Sequence, residues 1–172
     1  MSRRLLWVPV VILLISLVLA CQGAPAAKPP DAANATYSID RQSIALANGS
    51  AEQAAAPGSA TKIVTKLSDK QTVGDVNGDG KPDVAVVLIH TPGGSGTFQF
   101  VAVVLNDGTE KGKTSNAELL GDRISVEKLS IVDGQIVVDY LDRRSGEPMV
   151  TPPSVQATKK FVVKEGKLVG AQ

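Results

Sequence analysis

The sequence is poor in the groups that most often carry chemistry. Its 172 residues include one cysteine, Cys21, and one histidine, His90. A lone cysteine rules out a disulfide within the chain and, in an exported protein, points to another use for the thiol. Six aromatic side chains are present, Trp7, Tyr37, Phe98, Phe100, Tyr140 and Phe161. Platforms on which bases or sugars could stack are therefore scarce. Charge is balanced, with 18 Lys and Arg against 17 Asp and Glu. No block of one sign occurs, so the basic patch that neutralises phosphates is missing and no nucleic-acid partner is expected. No fixed-period repeat is visible, which argues against a solenoid or a propeller built within this chain.

What is present begins with an address. Arg3-Arg4 precedes an apolar run from Leu5 to Ala20, interrupted only by Pro9 and Ser16. At about sixteen residues the run is shorter than the ~20 that a membrane span needs, and it reads as an export signal over 1–20. It ends in Val18-Leu19-Ala20-Cys21. That ending resembles the lipobox read by the lipoprotein signal peptidase. The resemblance implies cleavage after Ala20, a diacylglyceryl group on the Cys21 thiol and acylation of the freed amine. Two or more acyl chains, such as palmitate, make a stable anchor, whereas one is marginal. The expected location is the cell envelope, on its periplasmic or extracellular face, held to the membrane through Cys21. Gln22 in place of Asp, by resemblance to Gram-negative sorting, favours the outer membrane if the cell is Gram-negative. Loss of Arg3 and Arg4 with the signal leaves the mature chain slightly acidic.

Residues 21–35 are rich in Ala and Pro, with Lys28-Pro29-Pro30-Asp31 at their centre, and read as a flexible tether. Residues 36–172, roughly 135 in number, are enough to bury about two-thirds of the unfolded chain's surface and read as one domain. Val84–His90 (V-A-V-V-L-I-H) and Phe98–Leu105 (F-Q-F-V-A-V-V-L) are short and apolar on both faces. This suits central strands covered on each side. The breaker-rich Thr91–Thr97 joins them as a hairpin. Ile124, Val126, Leu129 and Ile131 shift phase near Glu127-Lys128, which predicts a bulge. Asp133-Gly134 then supplies the favoured type I′ pair before Ile136, Val138 and Tyr140. A third hairpin turns at Glu165-Gly166. Thr36–Leu46 and Thr61–Leu67 read as shorter strands, and Ser50–Ala56 as a helical turn, because alanine and glutamate favour helix. The expected fold class is mainly β, an antiparallel sheet or sandwich built from hairpins with little helix.

The most informative stretch is Asp75-Val76-Asn77-Gly78-Asp79-Gly80-Lys81-Pro82-Asp83. Asp75, Asn77, Asp79 and Asp83 occupy positions 1, 3, 5 and 9 of a D-x-N-x-D-G-x-x-D pattern. Calcium takes six to eight hard oxygens, and alternate side chains of a tight loop converge on one centre. Gly80 at position 6 allows the turn that presents the Lys81 carbonyl at position 7. Three carboxylates and an amide suit calcium and suit zinc poorly. Position 12 is Val86 instead of the bidentate Glu of an EF-hand, and the following residues are strand. The pattern resembles the strand–loop–strand calcium loops of FG-GAP and VCBS-type modules. A wider stretch, Gly74–Leu141, resembles a secreted bacterial lipoprotein module of unassigned function. Its marks are the calcium loop, Gly93-Gly94-Ser95-Gly96-Thr97-Phe98, Val103-Val104-Leu105-Asn106, Leu120-Gly121-Asp122-Arg123, Asp133-Gly134 and Glu147-Pro148-Met149. Some relatives carry a cysteine pair after the Pro-Met, where this chain has Val150-Thr151-Pro152-Pro153, so no role of that pair carries over. The resemblance implies calcium and export and supplies no activity.

Catalysis finds little support. Ser95 with His90 and Asp122 would be the one serine triad available, but Gly93-Gly94-Ser95-Gly96-Thr97 lies between two strands and lacks the last glycine of a nucleophile elbow. A carboxylate pair near Asp122 and Asp142, with Arg123, Arg143, Arg144 and Glu147 around it, is the alternative that a small envelope hydrolase would use. Ion pairing at strand ends is the plainer reading of those charges. The expectation is a lipid-anchored, calcium-stabilised binding or structural module, not an enzyme, with a protein or cell-wall partner that the residues do not specify. The alternatives are the hydrolase and an inhibitor of envelope enzymes, which a protruding Thr91–Thr97 or Arg143–Pro153 loop would favour.

Overall fold

The computed structural model describes residues 27–171. The signal, Cys21 and the first half of the expected tether lie outside the described residues. Among those described, twelve strands form three antiparallel layers that follow one another in chain order. The first layer is a hairpin of β1 (Thr36–Ile39) and β2 (Gln42–Ala45). The middle layer runs β3 (Ser50–Ala54), β4 (Lys62–Gly74), β5 (Asp83–Thr91), β6 (Phe98–Leu105) and β7 (Lys113–Thr114), with β8 (Glu118–Asp122) also paired to β6. The last layer contains β9 (Ser125–Val132), β10 (Gln135–Asp142), β11 (Val155–Lys164) and β12 (Lys167–Gly170).

The layering explains why β5 and β6 are apolar on both faces. Val84, Val86, Leu88, Phe100, Ala102 and Val104 pack against Tyr37, Ile39, Ile44 and Leu46 of the first layer and its flank. Ala85, Val87, Val101 and Val103, on the opposite face, pack against Val126, Ile136, Val138, Phe161 and Leu168 of the last. Val86, Val87, Leu88, Val101 and Val103 are fully buried. Each such aliphatic side chain stabilises the fold by about 1.5–3 kcal/mol relative to its exposed state.

Local chemistry sets the connections. Asp133 and Gly134 have φ of 51° and 74°, the two left-handed residues of a type I′ turn that brings Val132 opposite Gln135. Glu165 and Gly166 repeat the device at 52° and 74°. In the β9–β10 pair Lys128 faces Asp139 and Val126 faces Tyr140. Glu127 is the extra residue, the predicted bulge, and it lets both Val126 and Leu129 reach the core. Gly74 ends β4 where a Cβ would stand 3.1 Å from Ile131 Cδ1, so the strand can pass close to β9.

Three expectations are corrected. Ser50–Ala56 is not a helical turn: Ser50–Ala54 is an edge strand in register with Lys66–Lys62. Alanine and glutamate favour helix weakly, and a ladder to β4 outweighs that preference. The strand expected over Thr61–Leu67 continues to Gly74, across an irregularity where Ser68, Asp69 and Lys70 face Val87 alone. The second half of the expected tether is docked to the body. Pro30, Ala32 and Ala35 are buried, and the Asp31 side chain caps a short 3-10 turn over Ala32–Asn34. The buried Tyr37 hydroxyl donates to the Ala32 carbonyl at 2.8 Å, and the Asp31 N–H donates to the Glu110 carbonyl at 2.8 Å. Alanine is small enough to pack closely and is equally at home in a coil, so composition alone misplaces this boundary.

Candidate metal loop

The loop between β4 and β5 is organised by side chains folding back on its own backbone. Asp75 Oδ1 accepts the N–H groups of Asn77 and Gly78 at 3.2 and 2.7 Å, and Oδ2 accepts that of Gly80 at 2.8 Å. Those amides hold the Asp75 carboxyl below the usual carboxylate range. Asn77 Oδ1 accepts the Asp79 N–H, and Asp79 Oδ1 that of Lys81. Gly80 has φ of 77°, as the sharp turn at the sixth position demands. Val76 points the other way, into the core between the middle and last layers.

Asp83, the last of the series, differs from the others. It is fully buried, and its two oxygens bridge separate segments: Oδ2 accepts the Val76 N–H at 3.1 Å and Oδ1 the Asn106 N–H at 2.8 Å. Burial pushes its carboxyl up against the pull of those two amides, and the nearby charges of Asp79 and Asp75 push it further. A buried carboxylate beside two others is the electrostatic situation that a hard cation relieves. The carboxylate oxygens that accept a single amide, Asp75 Oδ2, Asp79 Oδ1 and both oxygens of Asp83, each retain a second lone pair for such an ion. The donor set thus fits calcium in chemistry. In the conformation described, however, the oxygens are turned to backbone amides, and among the described residues no three His, Cys, Asp or Glu side chains converge as metal ligands.

Asn106, named from the sequence only as the end of Val103-Val104-Leu105-Asn106, was not expected at this loop. Besides its backbone link to Asp83, its Nδ2 donates to the Lys28 and Pro82 carbonyls at 2.9 and 3.2 Å, and its Oδ1 accepts the Gly108 N–H. The one local signal was an Asn-Asp-Gly turn at the end of an apolar strand.

Residues 72–97 match the FG-GAP repeat. The matched segment takes in the end of β4, the whole loop and β5. FG-GAP repeats bind calcium in general and are a mark of extracellular binding or structural modules. No curated protein and no solved structure matches the chain.

The other candidates lie at the opposite end of the sandwich from the 75–83 loop, and they do not assemble as a triad. His90 is buried, with Nδ1 2.9 Å from Thr65 Oγ1 and its ring edge-on to Phe100 at 6.1 Å. Ser95 is exposed in the β5–β6 loop. Asp122 accepts the Thr97 N–H at 2.8 Å and pairs with Arg123 at 3.1 Å. Burial raises its carboxyl, but these partners and Arg143 together hold it below the ordinary range. Glu147 pairs with Arg144 at 3.7 Å, and the Asp142 carboxylate accepts the Arg143 N–H. Arg143 braces the β10–β11 loop: its guanidinium donates to the Thr151 carbonyl and to the Arg123 carbonyl, the latter at 2.8 Å.

Proposed function

We propose that the chain is a lipid-anchored, calcium-stabilised binding or structural module of the cell envelope, with no catalytic role. The anchor is Cys21, on the strength of its lipobox. The ion is held by the side chains of Asp75, Asn77, Asp79 and Asp83 and the carbonyl of Lys81. The observation that carries the reading is the buried Asp83 carboxylate, close to Asp75 and Asp79, within a segment matching a calcium-binding repeat. When bound, calcium supplies the positive charge that offsets this burial. The loop then fixes the start of β5, the central strand of the middle layer. Strands rather than helices flank the loop, so the ion is structural and not a sensor's trigger.

Calcium titrated into chelated Gln22–Gln172, following heat of binding and melting temperature, tests the metal. One site with a raised melting temperature is expected, both lost in Asp79→Ala. Extracellular modules bind at ~10⁻⁴–10⁻³ M, and absence of binding at millimolar calcium overturns the assignment. The mass of the membrane-extracted protein, with and without Cys21→Ser, tests the anchor.

A second reading, an inhibitor of envelope enzymes, is favoured by the braced β10–β11 loop, where Val150 is 90% exposed and Met149 41%. For a carboxylate hydrolase, Asp122 is paired with Arg123 and Glu147 with Arg144, while the Asp142 carboxylate accepts, among the described residues, only the Arg143 backbone N–H.

A further inference from the structure

The sandwich has two distinct ends. β5 begins at the 75–83 loop and ends at the 91–97 loop, so the metal loop and the β10–β11 loop are separated by the length of the strands. At the metal-loop end lie the turn after β6 and the Asp133–Gly134 turn, where a Cβ on Gly134 would stand 4.0 Å from the Asp75 carbonyl. The N-terminal segment enters here as well. Ala27 and Pro29 border a surface hollow shared with Val73, Asp75 and Lys81. Asn106 and Glu110 fix the segment through the Lys28 carbonyl and the Asp31 N–H.

We propose that the metal-loop end of the body rests on the lipid surface that holds the anchor, with Val73 and Val132 as its apolar contacts, and that the β5–β6 and β10–β11 loops face away. The inference rests on the reading of Cys21 as the lipidated residue. Reach of the chain sets the orientation. Ala27 follows Cys21 by six residues, and whatever path they take, they span no more than about 22 Å. The nine residues of β5 extend for about 30 Å. Inverting the body would raise the entry point of the chain to about 30 Å above the headgroups, further than six residues can reach. Val73 and Val132, each 53% exposed, are the large apolar side chains left open at this end. They sit at the end of β4 and at the end of β9, on either side of the Asp75 turn. Charge does not favour this end, because its lysines are interleaved with acids that include Asp75 and Asp79 of the loop itself. Apolar exposure does not choose either, because Met149, Val150 and Val155 are open at the far end; reach does. The partner surface is then the distal one, where Arg143 holds Met149 and Val150 outward.

The test uses the full, lipidated chain in vesicles of phosphatidylethanolamine and phosphatidylglycerol that carry a headgroup-linked quencher. Acylated Cys21 leaves no free thiol, so single Val73→Cys, Val132→Cys, Met149→Cys and Val150→Cys variants each take one fluorophore. All four positions are exposed, and two report on each end. Several-fold stronger quenching at 73 and 132 than at 149 and 150 is the expected result. Equal quenching at the two ends, as from a body lying on its side, or the reverse order, overturns the proposal. Flotation of the same samples separates the two ideas. A protein that fails to float with vesicles sinks the anchor and this orientation together, whereas one that floats without graded quenching sinks the orientation alone.

Discussion

The Asp83 carboxylate joins the first residue of β5 to the residue that follows β6, accepting the Asn106 N–H at 2.8 Å, while its other oxygen holds Val76 in the 75–83 loop. One buried side chain therefore ties together the loop, the central strand pair and, through Asn106, the N-terminal segment.

Replacement of Asp83 by Asn keeps the shape and loses one acceptor. An amide NH2 would then face a buried backbone N–H, leaving both unpaired. In chelator, Asp83→Asn is expected to lower stability by about 1–3 kcal/mol, read as the midpoint of urea unfolding. An unchanged midpoint would remove Asp83 as the link.

Two side chains outside the N-terminal segment donate hydrogen bonds to it, beside backbone bonds such as those from the Leu46 and Gly49 N–H groups to the Ala35 and Ala33 carbonyls. Tyr37→Phe removes the donor to the Ala32 carbonyl, and Asn106→Ala removes the donor to the Lys28 carbonyl. Each is expected to cost about 1 kcal/mol and to speed proteolysis and hydrogen exchange at residues 27–35 more than in the sheets. Uniform protection in both variants would mean that the backbone hydrogen bonds of Asp31, Ala33 and Ala35, with the apolar contact of Pro30, Ala32 and Ala35, suffice.

His90 makes stability pH-dependent in a defined window. Burial pushes its pKa down, with the Asp40 charge opposing. The unfolded chain therefore takes up the proton first, near pH 6.5. Stability is full above about 6.5 and falls as pH drops from there toward the lower folded value. As the single histidine, it titrates where few other side chains do. Melting temperature should decline on acidification through that window, and His90→Gln should flatten the decline. An equal slope in the variant would assign the effect elsewhere.

The β10–β11 loop is held by one guanidinium. Arg143→Ala removes its bonds to the Thr151 and Arg123 carbonyls. Cleavage after Arg144 by trypsin is expected to accelerate several-fold with little change in calcium response, since the metal loop is at the other end. Arg143→Lys should restore little, because an ammonium lacks the fork that reaches two carbonyls at once.

The local features were legible in the sequence because their causes are local. Asp133-Gly134 makes its turn through left-handed φ values that both residues accept, and Glu165-Gly166 turns through its glycine. The phase slip around Glu127 shows a bulge because alternate side chains must keep facing one core. The two-faced apolar strands β5 and β6 require cover on both sides wherever that cover comes from. The D-x-N-x-D-G-x-x-D spacing marks a loop in which short oxygen side chains meet nearby amides, whether or not an ion joins them.

What the tertiary structure decided depends on partners distant in sequence. Ser50–Ala54 became a strand because β4 offered a ladder, and β4 grew to thirteen residues because β5 continued beside it. Lys28 meets Asn106 across 78 positions, and Thr65 meets His90 across 25. No pattern of neighbours encodes such contacts. By itself the sequence determined hairpins, a bulge, a two-sided core and an acidic loop. Packing of the three layers decided which face each strand covers, which carboxylate is buried, and at which end the N-terminal segment enters, because burial and hydrogen-bond satisfaction are properties of the assembled fold.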